Sequence, residues 1–425
     1  MAPDGRGLVS AAASSKSNSS LPMRAKLAIV AALYFAQGFP YGAFAELVPT
    51  FLRDQGASLS DITELTARLG LAWTLKFLWA PLVDQLGTRR GWIVFAQLLL
   101  AASLAAIAVL EPTSATPAVW IALGALAYLS ATQDIAIDAY SIELLDEREY
   151  GAANGMRVSA YRAALIATGG LLVAVAGRTG WSTAFWIAAG TMLVLAAVTA
   201  MLPSPDVERT PSPSEGLLER TIWHPLRTLA VLPGFVAVLL FVMTFKMGDF
   251  ALLVLVRPFW VDAGYSLEAI GLVLGTAGMV ATIVGALLGG ALTTRWGIFT
   301  ALWSLGLVQA LSNLGYYVAA SQGAGRAVMY TAAIVEQFTS GLGTAAFLAF
   351  LMALCDRRFA ATQYALLTAL FGLGRTLVMD QAGAAAEWLG YERYFLVTLL
   401  LAFPAFLLLP WVRRAMAARH AVRER

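Results

Sequence analysis

The chain contains 425 residues, of which 59% are hydrophobic and 13% are charged. Soluble globular proteins carry about 25% charged residues, so the composition argues against a water-soluble enzyme. The net charge of +3 comes without a basic patch interleaved with aromatic side chains, so nucleic-acid binding is not expected. One cysteine and two histidines in polar segments leave no basis for a metal cofactor or an intramembrane histidine base.

Apolar runs follow a polar start of the chain. Residues 1–24 are rich in serine and alanine and predict a disordered cytoplasmic tail rather than a cleaved signal peptide, because no small-residue cleavage site follows the first apolar run. Runs of about 20 residues, the length that crosses a bilayer, then recur to the end. They predict twelve spans near residues 26–47, 61–83, 92–110, 118–142, 153–176, 182–202, 229–256, 267–292, 298–320, 328–353, 360–385 and 391–412.

A stretch rich in proline, serine and charge divides the spans into two sets of six. The predicted segments are a tail, a six-helix half, a cytoplasmic linker, a second six-helix half and a basic cytoplasmic tail, at residues 1–24, 25–202, 203–227, 228–413 and 414–425. Lysine and arginine collect on the side of the linker and both ends. This bias predicts that both termini lie in the cytoplasm.

The two halves share an internal repeat. The pattern F-x-x-D-x-G-x-S-L-x-x-I starts at Phe51 and recurs at Phe259, and an Arg-x-Gly triplet at Arg89 corresponds to one at Arg295. A six-helix unit duplicated in parallel resembles the layout of major facilitator transporters, whose substrates bind near the midplane between the halves. The predicted fold is therefore an all-α major facilitator fold of twelve transmembrane helices.

Ionisable side chains inside a bilayer are costly and are functional candidates. Ten are singled out here: Arg68, Lys76, Asp134, Asp138, Arg162, Lys246, Asp249, Glu336, Arg375 and Asp380. The spacing of Asp134 and Asp138 places both carboxylates, next to Gln133, on one helix face. Lys76 and Arg162 are their expected partners. Either the cluster latches the inner gate, or one carboxylate exchanges a coupling proton.

The second half offers two further candidates. Lys246 and Asp249 either form a local ion pair or leave the lysine to meet an anionic substrate group. Glu336 precedes a polar, small-residue stretch, which indicates either close helix packing or a substrate or proton site. Arg68 and Arg375 are expected to form structural pairs.

The loop after the second predicted span resembles the Gly-x-x-x-Asp-Arg-x-Gly-Arg-Arg loop of major facilitator proteins. Here Ala80 replaces the first glycine, Gln85 replaces the first arginine, and one residue is inserted. Asp84, Arg89 and Arg90 are therefore expected to form a gate near helix ends rather than a substrate site. No Gly-x-x-x-x-Gly-Lys-Ser/Thr loop occurs, so transport is expected to use a gradient and not ATP.

Six stretches carry a more specific resemblance: TLKFLWAPLVD (74–84), SATQDIAIDAY (130–140), FKMGDFALLV (245–254), MVATIVGALLGG (279–290), ALWSLGLVQALSNLGYY (301–317) and EQFTSGLGTAAFLAFLMALCDRRFAATQYALLTALFGLGR (336–375). They resemble the AmpG family of major facilitator permeases. The resemblance implies proton-driven import of N-acetylglucosaminyl-1,6-anhydro-N-acetylmuramyl peptides across the bacterial inner membrane for cell-wall recycling. It implies no cofactor besides the proton gradient, a glycopeptide substrate, contact with the lipid bilayer and a monomer.

The same resemblance implies roles for six side chains. The expected anion partners are Lys246, Arg162 and Arg375. The expected hydrogen-bonding or proton sites are Gln133, Asp134 and Glu336.

Two alternatives stay open. The stretch PTFLRDQGASLSDI (49–62) also resembles related siderophore permeases and the acetyl-CoA transporter family, so a related transporter of such an anion is possible on the same fold. A membrane sensor that transports nothing is an alternative of another class. An integral membrane enzyme is not expected, because no clustered nucleophile and base occur.

Overall fold

The computed structural model describes residues 21–56, 58–110, 117–205, 223–323 and 325–423. In these ranges the chain is nearly all helical and contains no strand, which confirms the all-α prediction. Most of the predicted N-terminal tail, residues 206–222 of the predicted linker and the last two residues of the C-terminal tail lie outside the described residues. The segment boundaries proposed from the sequence stay predictions.

Nine α-helices lie in the described residues of the first half. They are α1 (Met23–Gly42), α2 (Val48–Asp54), α3 (Leu59–Leu75), α4 (Ala80–Gln85), α5 (Arg89–Leu110), α6 (Pro117–Leu144), α7 (Tyr150–Ile166), α8 (Val173–Thr179) and α9 (Trp181–Ala200). Short π-helical segments continue α1 into α2 and α7 into α8, so each of these pairs forms one long rod.

Eleven α-helices lie in the part of the second half that the structure describes. They are α10 (His224–Ala230), α11 (Phe235–Thr244), α12 (Met247–Asp262), α13 (Leu267–Ile270), α14 (Gly278–Trp296), α15 (Ile298–Ser312), α16 (Leu314–Ser321), α17 (Arg326–Leu354), α18 (Ala360–Leu401), α19 (Pro404–Leu407) and α20 (Leu409–Arg423). A π-helical segment joins α13 to α14. A break at Lys246 separates α11 from α12.

Ten helical segments in the described ranges are long and apolar enough to cross a bilayer. Helix α3 is not among them, since it carries Asp61, Glu64 and Arg68. The longest segment, Arg357–Leu407, is interrupted at Gly390, where φ is +73°. Such a φ favours glycine and ends a helix, so this segment comprises two rods. The count of twelve spans stays a prediction, and the observed helices are compatible with it.

The two halves meet at one end of the molecule, which we call the linker side because Leu202 and Pro225, next to the linker, lie there. The first half has one hydrophobic cluster of its own and the second half has two, but a further cluster combines both halves at the linker side. Tyr140 and Tyr150 contribute to it from the first half, and Phe350 contributes from the second. The halves are therefore closed against each other at this end.

Glycines allow the closest approach between the halves, where α7 crosses α14. A Cβ atom at Gly155 would lie 2.6 Å from the Ala286 carbonyl oxygen, and one at Gly290 would lie 2.6 Å from the Gly151 carbonyl oxygen. The backbone N–H of Ala152 also donates a 2.8 Å hydrogen bond to Oγ1 of Thr294. Backbone contact of this kind requires small residues on both helices.

Candidate functional site

The carboxylate of Asp138 on α6 is buried among groups that offset its charge. Its Oδ1 lies 3.1 Å from Nη2 of Arg157 and accepts a 3.0 Å hydrogen bond from the Tyr34 hydroxyl. Its Oδ2 lies 3.8 Å from Nζ of Lys76. Only 2% of this residue is exposed. A buried charge of this kind is tolerated only when it is paired and hydrogen-bonded.

Asp134 lies one turn earlier on the same face and has fewer partners. Its Oδ2 lies 3.9 Å from Nζ of Lys76 and accepts a 3.0 Å hydrogen bond from Nε1 of Trp73. Its Oδ1 has no hydrogen bond of normal geometry in the part of the chain that the structure describes, although the side chain of Gln37 lies near this carboxylate. The structure thus places Lys76 between the two carboxylates, as the sequence predicts, and leaves Asp134 the less saturated of the two.

The prediction that Arg162 completes this cluster is wrong, because Arg157 takes that place. Arg157 is not among the ten candidate charges, because it lies near the start of the predicted fifth span, where an arginine can reach the membrane surface. Five residues turn an α-helix by about 500°, a net rotation of about 140°, so the two arginines point to different sides of α7. Arg162 instead interacts electrostatically with Lys246 and Glu336 of the second half.

Arg157 also joins the two halves. Its Nη1 donates a 2.5 Å hydrogen bond to the hydroxyl of Tyr364 on α18. Its guanidinium lies 4.5 Å from the ring centre of Tyr34 and 5.3 Å from that of Tyr364, within the range of cation–π contacts. A single side chain therefore connects the Asp138 carboxylate to the contact between the halves.

Gln133 lies between α6 and α1 rather than at a surface that substrate could reach. It is fully buried, and its Nε2 donates a 2.7 Å hydrogen bond to the Ala36 carbonyl oxygen on α1. In this structure Gln133 ties α6 to α1.

Lys246 occupies the break between α11 and α12 and is buried. Its Nζ donates hydrogen bonds of 3.1 Å to Oδ2 of Asp249 and 3.0 Å to Oγ1 of Thr344. The local ion pair expected from the spacing is therefore present. The break turns the lysine towards α17, which carries Thr344 and Glu336, so the same ammonium also stands beside a second carboxylate.

Glu336 on α17 is 2% exposed, yet it has no ion pair within 4 Å among the described residues. Its electrostatic partners are Asp249, Lys246 and Arg162. Its Oε2 has no hydrogen-bond partner in the described ranges. This carboxyl group therefore lies at the junction of both halves with its hydrogen-bonding capacity only partly used.

Three of the ten predicted intramembrane charges lie apart from these clusters. Arg68 is 75% exposed and pairs with Glu64 on the same helix, a structural pair whose acidic member the sequence analysis missed. Arg375 is exposed and lies 5.8 Å from the ring centre of Phe250, but no ion pair to it occurs within the described ranges, contrary to expectation. Asp380 is exposed and accepts a hydrogen bond from Gln381.

The predicted gate residues form a buried network at the linker side. Oδ1 of Asp84 lies 2.5 Å from Nη2 of Arg89, whose Nε donates a 2.8 Å hydrogen bond to Glu143. The same Asp84 carboxylate accepts hydrogen bonds from the backbone N–H groups of Ala361 and Thr362, at 3.1 and 2.8 Å. A carboxylate of the first half thus caps the N-terminus of α18 in the second half, where the helix dipole favours negative charge.

Arg90 has a separate role beside this network. Its Nη1 donates a 2.7 Å hydrogen bond to the Leu202 carbonyl oxygen at the end of the first half. It thereby fixes the chain just before the linker.

We expect Asp84→Asn to weaken closure at the linker side, because the cap loses its charge and its ion pair with Arg89. Hydrogen bonds to charged groups contribute about 1.5–3 kcal/mol, so the ratio of closed to open molecules should fall about tenfold or more. Spin labels introduced at the exposed positions Met201 and Val231, one on each half, would report this as a broader or longer distance distribution. Asp61→Asn, on an exposed face of α3, is the matched control and should leave the distance unchanged.

A second set of charges joins the halves at the linker side, and sequence reasoning missed it. Arg357 donates from Nη2 to the Leu145 carbonyl oxygen at 2.5 Å and lies 3.1 Å from Oδ1 of Asp146. Lys26 pairs with Asp146 at 3.4 Å and with Glu149 at 2.7 Å. The available signal was a partial repeat, in which Leu145-Asp146 after the fourth predicted span corresponds to Cys355-Asp356 after the tenth. This repeat does not show that the two loops touch.

This second set should not respond to physiological pH. Partial burial acts to raise the pKa of Asp146, but the hydrogen bond from Arg357 and the charge of Lys26 hold that pKa below its usual value. Stability from a lowered carboxylate pKa is fully present above the unfolded-state pKa and is lost only as pH falls through the lowered value. The loss of thermal stability caused by Arg357→Gln should therefore stay constant from about pH 5 to pH 8. A difference that vanishes inside that range would contradict the assignment.

Comparison with known proteins identifies the family. The Major Facilitator Superfamily profile matches residues 30–379. The chain is 34% identical over 398 residues to the anhydromuropeptide permease of Escherichia coli K12, which covers 92% of this chain and 80% of that protein. The chain belongs to the major facilitator superfamily. Its likeness to that permease and to the putative transporter AmpG 4 of Rickettsia conorii, at 27% identity over 89% of this chain and 94% of that protein, places it among the AmpG-like permeases.

The fold of this major facilitator permease agrees with solved members. The Escherichia coli fucose:proton symporter FucP superimposes with a TM-score of 0.71 at 14% identity, over 92% of this chain and 99% of that one. The predicted major facilitator fold is confirmed. The chain is a multi-pass membrane transporter and not an enzyme, since its relatives are named permeases and transporters.

Proposed function

We propose that this AmpG-like permease imports anhydromuropeptides across the bacterial inner membrane, driven by protons, with both termini and the linker side in the cytoplasm. The observation that carries the substrate is the 34% identity, over 92% of the chain, to a protein named anhydromuropeptide permease. The lysine and arginine bias towards the linker side supports the orientation. The substrate's carboxylates suit the cationic side chains between the halves.

Lys246 and Arg162 are the proposed anion partners. They approach one another from opposite halves, since Arg162 on α7 interacts with both Lys246 and Glu336 of the second half. A substrate carboxylate placed between them would replace part of the attraction that Asp249 now supplies to the lysine. Binding between the halves in this way favours their closure around the substrate.

Asp134 is the proposed site of the coupling proton in the first half. It shares Lys76 with Asp138, but its Oδ1 makes no hydrogen bond of normal geometry among the described residues, whereas Asp138 is held by two cations and a hydroxyl. When Asp134 takes up a proton, it loses its negative charge, and Lys76 then forms an ion pair with Asp138 alone. The balance of charge around Arg157, and with it the bond from Arg157 to Tyr364 across the halves, then changes.

The proposed cycle is alternating access by rocking of the two halves. The contacts through Asp84, Arg157 and Arg357 hold the linker side closed. Opening towards the cytoplasm must break all three. Protonation and substrate binding each act on a group connected to these contacts, which couples both to the movement.

Uptake by purified protein in proteoliposomes tests the proposal. Labelled anhydromuropeptide should accumulate when the outside is more acidic than the inside, and a protonophore should abolish accumulation while leaving exchange of labelled for unlabelled substrate. A ferric siderophore and acetyl-CoA, assayed in parallel, should neither accumulate nor compete. Uptake of either compound in place of anhydromuropeptide would contradict the assigned substrate, and accumulation without any dependence on the proton gradient would contradict the coupling.

A further inference from the structure

A row of polar side chains lies between α17 and the helix pair α15–α16, away from the contact between the halves. Gln309, Ser312, Asn313 and Tyr316 follow one another at spacings of three, one and three residues, so they share a face. Thr339 Oγ1 on α17 donates a 2.8 Å hydrogen bond to Ser312 Oγ. The row on α15–α16 and the facing residues of α17 run antiparallel and meet in register. We call these two rows the polar ladder.

Glu336 stands at one end of the polar ladder. The spacing that pairs Ser312 with Thr339 brings Tyr316 next to Glu336, and the two interact electrostatically. Tyr316 also contacts the indole of Trp260 on α12. Tyr316 on α16 therefore links Glu336 on α17 to Trp260 on α12.

The ladder has more hydrogen-bonding groups than partners. Oε2 of Glu336, both side-chain polar atoms of Asn313 and Nε2 of Gln309 have no hydrogen-bond partner in the described ranges. The Tyr316 hydroxyl and Nε1 of Trp260 interact only with each other, outside normal hydrogen-bond geometry. All five residues are at most 3% exposed. Unpaired polar atoms so deeply buried are costly, and proteins commonly satisfy such groups with internal water.

Donors and acceptors alternate in a way that suits water better than a metal ion. The Trp260 indole and the Gln309 amide present N–H donors, which would repel a cation, whereas Glu336 presents an acceptor. Asn313 and Tyr316 serve as both. A water molecule needs two to four such partners, and this set supplies them.

A cavity lies close to Trp260. A cavity of about 670 Å³ at the end opposite to the linker side is lined by Tyr265, Glu268, Arg326 and Tyr330. The Tyr330 ring stacks on Trp260, with ring centres 5.5 Å apart and planes at 14°. The buried Trp260 thus separates this cavity from the ladder.

We propose that the polar ladder binds water that solvates Glu336, making Glu336 a second proton-exchange site between α12, α16 and α17. This extends the proposed function, which places a coupling proton on Asp134. Lys246 and Asp249 face Glu336 from α12 and the break before it, Arg162 faces it from α7, and Tyr316 faces it from α16. Tyr316 and Trp260 are positioning residues for the water.

Infrared difference spectroscopy tests this directly and needs no transport. The C=O band of protonated Glu336 is identified as the band that Glu336→Gln removes, and its intensity is followed against pH in purified protein. In Tyr316→Phe the midpoint should move to higher pH by about one unit, equivalent to a tenfold change in the equilibrium, because the ionised carboxylate loses a solvating partner. Tyr317→Phe, the same change at the neighbouring position, should leave the midpoint in place.

Trp260→Phe provides an independent second variant, and it should shift the midpoint in the same direction. The proposal is overturned if Glu336 shows no titrating band, or if both ladder variants titrate like the wild type. Because no substrate is present, these outcomes do not depend on the proposed transport function. Failure of anhydromuropeptide uptake would overturn that function and leave the titration unaffected.

Discussion

Replacement of Asp138 by asparagine is expected to remove active uptake. The variant leaves Lys76 and Arg157 buried with one carboxylate fewer, and removal of one partner from a buried ion pair costs about 3–5 kcal/mol. Arg157 also carries the contact to Tyr364, so closure of the halves is lost with the pair. Both accumulation and exchange of labelled anhydromuropeptide should fall about 100-fold or more, and the melting temperature should fall as well.

The same substitution one turn earlier should have a different outcome. Asp134→Asn leaves Asp138 paired with Lys76 and Arg157 and fixes residue 134 in the neutral state, so it removes only the proposed proton carrier. Exchange should therefore persist while accumulation against a gradient disappears. Asp380→Asn, an exposed carboxylate outside both clusters, is the control and should behave like the wild type. If both α6 variants lost exchange equally, the two carboxylates would form a structural network, as the alternative interpretation of the sequence holds.

Lys246→Ala is expected to reduce uptake about 100-fold, the effect of losing about 3 kcal/mol from a buried charge pair. The substitution removes the cation proposed to bind the substrate's carboxylate and leaves Asp249 unpaired. Transport assays at several substrate concentrations should show a raised KM as well as a lowered maximal rate.

The double variant Lys246→Ala/Asp249→Ala separates the two interpretations of this pair. If the lysine only neutralises Asp249, removing both should restore uptake, because no unpaired charge remains. If the lysine binds substrate, the double variant should regain stability without regaining uptake. We expect the second result, since Lys246 also stands beside Glu336 and Arg162 between the halves.

The fold was largely predictable because membrane helices are encoded by length and hydropathy, and the repeat beginning at Phe51 and Phe259 shows the duplication. Local spacing was equally informative within a helix: it predicted the shared face of Asp134 and Asp138 and the pairing of Lys246 with Asp249.

Contacts between distant segments were not predictable in the same way. The cap that Asp84 provides for α18 joins residues far apart in sequence, and so does the pair Asp146 with Arg357. Neither has a periodic signal. Arg157 was missed because hydropathy places it near a span end, while the depth of a side chain depends on how the helices pack.

The measurement that tests the central claim most directly is proton movement caused by substrate. Anhydromuropeptide added to lightly buffered proteoliposomes should make the outside more alkaline when the wild-type protein is present. Asp134→Asn should show no alkalinisation although it still exchanges substrate. Equal alkalinisation by the variant, or uptake by the wild type without any alkalinisation, would contradict proton coupling through Asp134.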